Sequence, residues 1–206
     1  MGIIGVVAAL TLPNLNSSTG DKEKVAKVKK IYSNLEDAYG RATAVYGPHG
    51  TWFINDTTIE QQNKRFAERM TEFMKVSKSC GKSTGCFSSS PLLYTNGNKK
   101  YDNYVQAKVS SEEYMYILAD GTSLSFQDAG KIFVDIDGPN KGKNQESVDI
   151  FYFCISDGKI NPDCVQYSLS GTFYKDYEAA SWVIMNDNMD YLKCSGLNWE
   201  TKTSCK

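Results

Sequence analysis

GIIGVVAALTLPNLNSSTGDKEKVAKVKKIYSNLEDAYGRATAVYG, residues 2–47, decides the fold. Gly2 to Leu12 is apolar apart from Thr11, and no charge appears before Asp21. At about 1.5 Å per residue, a helix through Leu15 spans on the order of 22 Å, short of the ~30 Å hydrocarbon core of a bilayer. Length alone leaves a buried core helix open as well. A secretory signal would put positive charge ahead of the apolar core, whereas here the core opens at the second residue. The second part reads differently. Val25, Val28, Tyr32, Leu35, Tyr39, Ala42 and Tyr46 recur at alternating spacings of three and four, which is one apolar stripe along a helix. The opposite face carries Lys22, Lys24, Lys27, Lys29, Lys30, Glu36, Asp37 and Arg41. One helix is therefore expected from the start to about Tyr46, kinked at Pro13 and stopped by Gly47-Pro48.

GIIGVVAALTLPNL resembles the back half of the N-terminal segment of type IV pilins and type II secretion pseudopilins. In that family a basic leader ending in Gly is removed by a prepilin peptidase. The exposed apolar helix, which contains a Glu, then anchors the subunit in the inner membrane and packs in the core of a filament. The resemblance implies an anchoring and assembly role for Gly2, Ile3, Ile4, Gly5, Val6, Val7, Ala8, Ala9, Leu10, Leu12 and Pro13, the small residues permitting close helix approach. This sequence departs from the pattern in lacking the leader, the cleavage Gly, the first mature residues and the Glu. The implied helix start lies upstream of Met1, so the 206-residue form is expected to behave as a weakly associating head. VDIDGPNKGKN, DIFYFCISDGKINPDC and SWVIMNDNMDYLKC resemble a Cys-rich pseudopilin-like group more loosely. The implied fold is α+β and pilin-like: a long N-terminal helix on an antiparallel sheet, with a second helix and a disulfide-stapled C-terminal region. Residues 1–20 form the apolar half of the helix and 21–206 the head. Implied partners are other pilin or pseudopilin subunits and the inner membrane, with the head in the periplasm or outside the cell.

The head carries its own signals. Thr57 to Glu60 fits a capping box that opens a second helix, with Ile59, Phe66, Ala67, Met70, Phe73 and Met74 as its apolar face to about Val76. Asp120-Gly121 sits between two strand-like runs and reads as a hairpin. Lys131–Asp137, Ser147–Ile155 and Ser181–Met185 read as further strands. Short strands following two helices argue for an antiparallel α+β sheet. The six cysteines fall into local pairs, Cys80/Cys86, Cys154/Cys164 and Cys194/Cys205, each enclosing turn residues. Sequential disulfides are expected, each closing a loop worth roughly 2 to 3 kcal/mol in the chain-entropy account. The spacing suits no zinc site. Disulfides imply an oxidising compartment, against which stands the positive-inside rule applied to Lys22–Lys30.

Composition limits function. With 23 Lys+Arg against 24 Asp+Glu there is no basic field for nucleic acid, and 12% aromatic residues exclude disorder. His49 is the one histidine and reads as a solvated loop residue. No phosphate cradle, serine elbow or carboxylate pair points to an enzyme, and Gly138 to Gly142 reads as a turn. Asp135, Asp137 and Asp149 could converge with backbone carbonyls on calcium, as in some pseudopilins, or line a solvent face. No other cofactor is expected. A non-enzymatic filament subunit is the leading reading. The alternative is a secreted or surface-anchored, adhesin-like binding module, which surface aromatics such as Trp52 and Trp199 would favour over buried ones like Trp182.

Overall fold

A computed structural model describes residues 3–164 and 171–205, and side chains from residue 19 onward. Helix α1, Ile3–Tyr46, runs 44 residues and continues past Pro13. Its apolar stripe is buried as the spacing predicts: Val25, Val28, Leu35, Tyr39 and Ala42 are in the core, joined by Ile31 and Ala38, and Tyr32 and Tyr46 pack at its edge. Gly2 is outside the described residues, and the anchoring side chains from Ile3 to Pro13 are too.

Helix α2, Ile59–Thr71, is capped one residue later than expected. Thr58 rather than Thr57 is the N-cap, and its reciprocal partner is Gln61 rather than Glu60. Gln61 stands at the N3 position of Thr58, its Oε1 accepting the Thr58 N–H while Thr58 Oγ1 accepts the Gln61 N–H, and Glu60 instead forms an ion pair with Lys82. The helix ends at Thr71, and Val76 belongs to strand β1.

Strands β1 (Val76–Gly81), β4 (Tyr114–Leu118), β5 (Ser123–Gln127), β6 (Lys131–Asp135), β7 (Ile150–Ser156) and β8 (Lys159–Pro162) form one antiparallel sheet, in the spatial order β1-β4-β5-β6-β7-β8. Leu92–Leu93 (β2) and Lys99–Tyr101 (β3) pair as a small hairpin, followed by the short helix α3, Tyr104–Ser110. The hairpin expected at Asp120-Gly121 joins β4 to β5, with Gly121 at φ 89° where a side chain would be strained. Pro162, which has no N–H to donate, sits on the outermost strand.

Ser181–Met185 is not a strand. It lies in helix α4, Ala179–Asn186, whose residues Ala179 to Val183 are all buried. Five successive buried residues, Ala179 to Val183, leave no readable period, and the arbiter is remote: the Asp163 carboxylate accepts the N–H groups of Ala180 and Ser181 at 2.8 and 2.7 Å in the first turn.

The sheet alternates cleanly. Tyr116, Leu118, Leu124, Phe126, Ile132, Val134, Phe151 and Phe153 turn to one face, where α1, α2 and α4 cover them in the main core. Met115, Ile117, Ile150 and Tyr152 turn to the other, under α3 and the segment containing Cys86, Phe87 and Leu92. The three disulfides pair as expected, Cys80–Cys86, Cys154–Cys164 and Cys194–Cys205.

Candidate functional site

The lysine-rich side of α1 is not a free polar face. Lys27 and Lys24 approach the Asp137 carboxylate at 2.9 and 3.7 Å, Lys30 reaches Asp120 at 2.7 Å and Lys29 reaches Asp187 at 2.9 Å. Asp21 returns the favour to Lys193 at 2.6 Å. These charges fix α1 over three separate loops of the head, so the cluster that the positive-inside rule would place at a membrane is used for docking. At its far end Tyr46 bonds to Glu72, and Arg69 lies 4.6 Å over the Tyr46 ring. No helix among the described residues is long and apolar enough to cross a membrane.

The three aspartates expected to converge are neighbours with different fates. Asp149 is buried and spends both oxygens on the backbone N–H groups of Lys143, Asn144 and Gln145, at 3.0 Å for Asn144 and 2.6 Å for Gln145. Asp137 is given to the α1 lysines. Asp135 is fully buried, with Oδ1 accepting the N–H groups of Asp137 and Gly138. Burial first, and the Asp149 charge second, push the Asp135 carboxyl well above the usual range; burial raises Asp149 as well, opposed by its backbone donors. Gly142 has φ 77°, and a Cβ there would lie 2.2 Å from an Asp149 oxygen, so the loop closes over that carboxylate. The ligating oxygens are thus largely taken by the protein, and among the described residues no group of three or more His, Cys, Asp or Glu side chains is placed to hold a metal ion.

Beneath α3 lies a cluster that the sequence did not announce. Lys108 is 2% exposed, and its ammonium lies 2.8 Å from Glu113 and 4.0, 4.6 and 4.9 Å from the centroids of Phe133, Phe87 and Tyr104. Ser125 donates to the same Glu113 carboxylate. Burial lowers the Lys108 pKa, with Glu113 opposing it. QAKVSSEE is a solvent-helix sequence by composition, and nothing in it marks Lys108 as interior.

His49 is not a solvated loop residue. Its ring packs edge-on against Trp52, Phe53 and Phe66 at 4.9 to 5.6 Å, and burial lowers its pKa. The glycine-rich GPHGTW run conceals this, because the aromatic partners come from α2 and the turn itself. Trp52 is buried and donates to Gly47 O at 2.8 Å; Trp199 is half-buried against Trp182. Neither tryptophan is the surface platform that a binding-module reading would ask of it. Trp182, by contrast, is in the core as expected.

Comparison with protein-family models, with curated proteins and with solved structures finds no match.

Proposed function

We propose that the chain is a non-enzymatic structural subunit of a type IV pilus or type II secretion pseudopilus. Helix α1 would anchor it in the inner membrane and carry it into a filament, with the disulfide-bonded head in the periplasm or outside the cell. The observation that carries the reading is the division of α1. Its sequence is uncharged through Gly20, whereas from Asp21 to Tyr46 it is buried along one stripe and ion-paired to the head along another. A helix needs only its second half to hold a domain in this way; an uncharged first half is suited to lipid or to neighbouring subunits. The three disulfides support an oxidising location.

Antibody raised against residues 21–206 tests the reading on cells that make the protein. Label on sheared filaments, or on membrane-attached periplasmic stubs, is the expected result; recovery of all the antigen as a freely secreted monomer overturns it. A paired variant, Val6→Glu with Leu10→Glu, should abolish assembly while the head keeps its melting temperature and its three disulfides. Assembly that survives two carboxylates in the apolar segment would mean that α1 is not the polymerising element.

A further inference from the structure

The aromatic surface that the tryptophans fail to provide exists elsewhere. Tyr94, Tyr101, Tyr174 and Tyr177 are 44%, 45%, 57% and 60% exposed, and they are the exposed tyrosines among the described residues. They are not scattered. Tyr94 and Tyr177 line a cavity of about 560 Å³ between the β2–β3 hairpin and the segment leading into α4. Tyr101 is tied to it through Lys100, and Tyr174 is one turn before Tyr177, whose N–H it accepts at 2.9 Å. Single exposed aromatics are ordinary, but two that line one concavity, with Tyr101 and Tyr174 close by in sequence, mark a ligand surface.

The polar groups narrow the ligand. At the floor, Lys100 lies 2.5 Å from Glu146, which also accepts from Tyr152. The same ammonium lies 5.3 Å from the centroid of Tyr94 and 5.9 Å from those of Tyr101 and Tyr152. The protein's own cation therefore already sits by these rings, and it is already neutralised. Of the other lining charges, Asp163 is taken by the first N–H groups of α4; an anionic ligand thus finds no unpaired positive charge on the lining, and a cationic one, though it would meet Asp176, would compete with Lys100 for the rings. What is left on offer is aromatic surface for C–H-rich faces, together with Asn96, Asn98 and Asp176 for hydroxyl groups. The hairpin that presents Tyr94 is fixed from behind, since Gln145 donates to the carbonyls of Tyr94 and Thr95 at 3.3 and 3.0 Å. We propose that this cavity binds a neutral oligosaccharide, stacked on Tyr94 and Tyr177 and hydrogen-bonded by the asparagines and Asp176.

The purified full chain would be screened on an array of neutral and sialylated oligosaccharides, and the best neutral hit titrated calorimetrically. Saturable one-to-one binding is expected, with the sialylated form of the same glycan binding no more tightly. Tyr94→Ala and Tyr177→Ala should each weaken binding about fivefold to tenfold, while Tyr177→Phe keeps most of it. Both tyrosines are exposed, so an unchanged melting temperature certifies the fold of each variant. Absence of any neutral hit overturns the proposal. So does a hit whose affinity both alanine variants leave intact, or a sialylated form that binds more tightly than its neutral parent. The cavity lies apart from α1, so failure here leaves the filament reading standing, and a filament-negative result leaves this one standing.

Discussion

The two faces of the sheet are built on opposite plans. The α1 face is a continuous apolar core in which Val28, Leu35, Ala42, Phe66, Leu124, Ile132 and Trp182 are fully buried. The α3 face interleaves apolar groups with Lys108, Glu113, Ser123, Ser125 and Asp135, all buried as well. Tyr104 Oη, Ser123 Oγ, Asp135 Oδ2 and Asn144 Oδ1 have no hydrogen-bond partner there. A buried polar group without a partner costs about 1 to 3 kcal/mol, and the α1 side carries its own in His49 Nε2, Arg69 Nη1 and Asn186 Nδ2, so the faces differ in the charges they bury rather than in orphaned groups. One strand can serve both plans because its residues alternate: Ile132 and Val134 go one way, Phe133 and Asp135 the other.

The sharpest way to break this comparison is to treat the polar face as if it were apolar. Lys108→Ala leaves Glu113 as a buried carboxylate bonded to Ser125 alone among its named partners, and should cost about 3 to 5 kcal/mol in urea unfolding. Lys108→Met combined with Glu113→Leu removes both charges and keeps the volume, and should cost only the about 1 to 3 kcal/mol of a Ser125 hydroxyl left without its acceptor, less than the single variant. If the double variant is as damaging as the single one, the ion pair contributes to stability outright and the contrast between faces fails.

On the apolar face, Leu35→Ala should cost about 2 to 5 kcal/mol, set by how far the sheet and α1 close the cavity. The double-variant rescue has no counterpart there, because no partner is left unpaired. Denaturation with an unchanged m-value is the check that the loss is one of stability rather than of compactness.

Titration reads single buried groups on both sides of the sheet. On the α1 side, burial lowers the His49 pKa, so the folded state binds fewer protons than the unfolded one. Its contribution is present above pH 6.5 and is lost as pH falls through the lowered value. Asp135 and Asp149 run the other way, as does Asp163, which burial pushes up to about 7. These carboxyls favour the folded state below pH 3.8, and that contribution declines as pH rises, through about 7 for Asp163. In melting temperatures taken across pH 4 to 8, Asp163→Asn should flatten the decline toward neutral pH, and His49→Gln should flatten the loss on the acid side of 6.5. Unchanged slopes in both variants would remove these groups from the pH response.

How far each face was legible in the sequence follows from the same chemistry. The α1 stripe is visible because apolar packing needs a period, and Val25 through Tyr46 keep it. The disulfide pairing was legible because each cysteine pair brackets a turn. Lys108 was not: Glu113 stands five residues on, but the rings of Phe87 and Phe133 and the Ser125 hydroxyl that enclose the pair come from distant parts of the chain. Helix α4 was misread as a strand for a related reason: the carboxylate that accepts its first-turn N–H groups, Asp163, is 17 residues upstream of Ala180. The cap at Thr58 was missed by one position, which is the scale on which side-chain reach is decided. The acidic loop was legible as a cluster but not as a set of carboxylates already engaged by backbone N–H groups and by lysines of α1.

The smallest effect falls where the two plans meet, at the lysines of α1. Lys30→Ala removes a 2.7 Å pair with Asp120, but the Lys30 side chain is 58% exposed, so water and salt already screen most of the attraction. The expected loss is about 0.2 to 1 kcal/mol at low ionic strength, fading in 1 M salt. Lys27→Ala should cost more than Lys30→Ala, because its partner Asp137 is only 12% exposed and is also approached by Lys24. Losing Lys27 leaves Asp137 to Lys24 at 3.7 Å, beside the buried Asp149, with which it shares the space under Gly142. Equal and salt-insensitive losses for the two variants would show that these lysines act through their aliphatic stems packed along the head rather than through their charges.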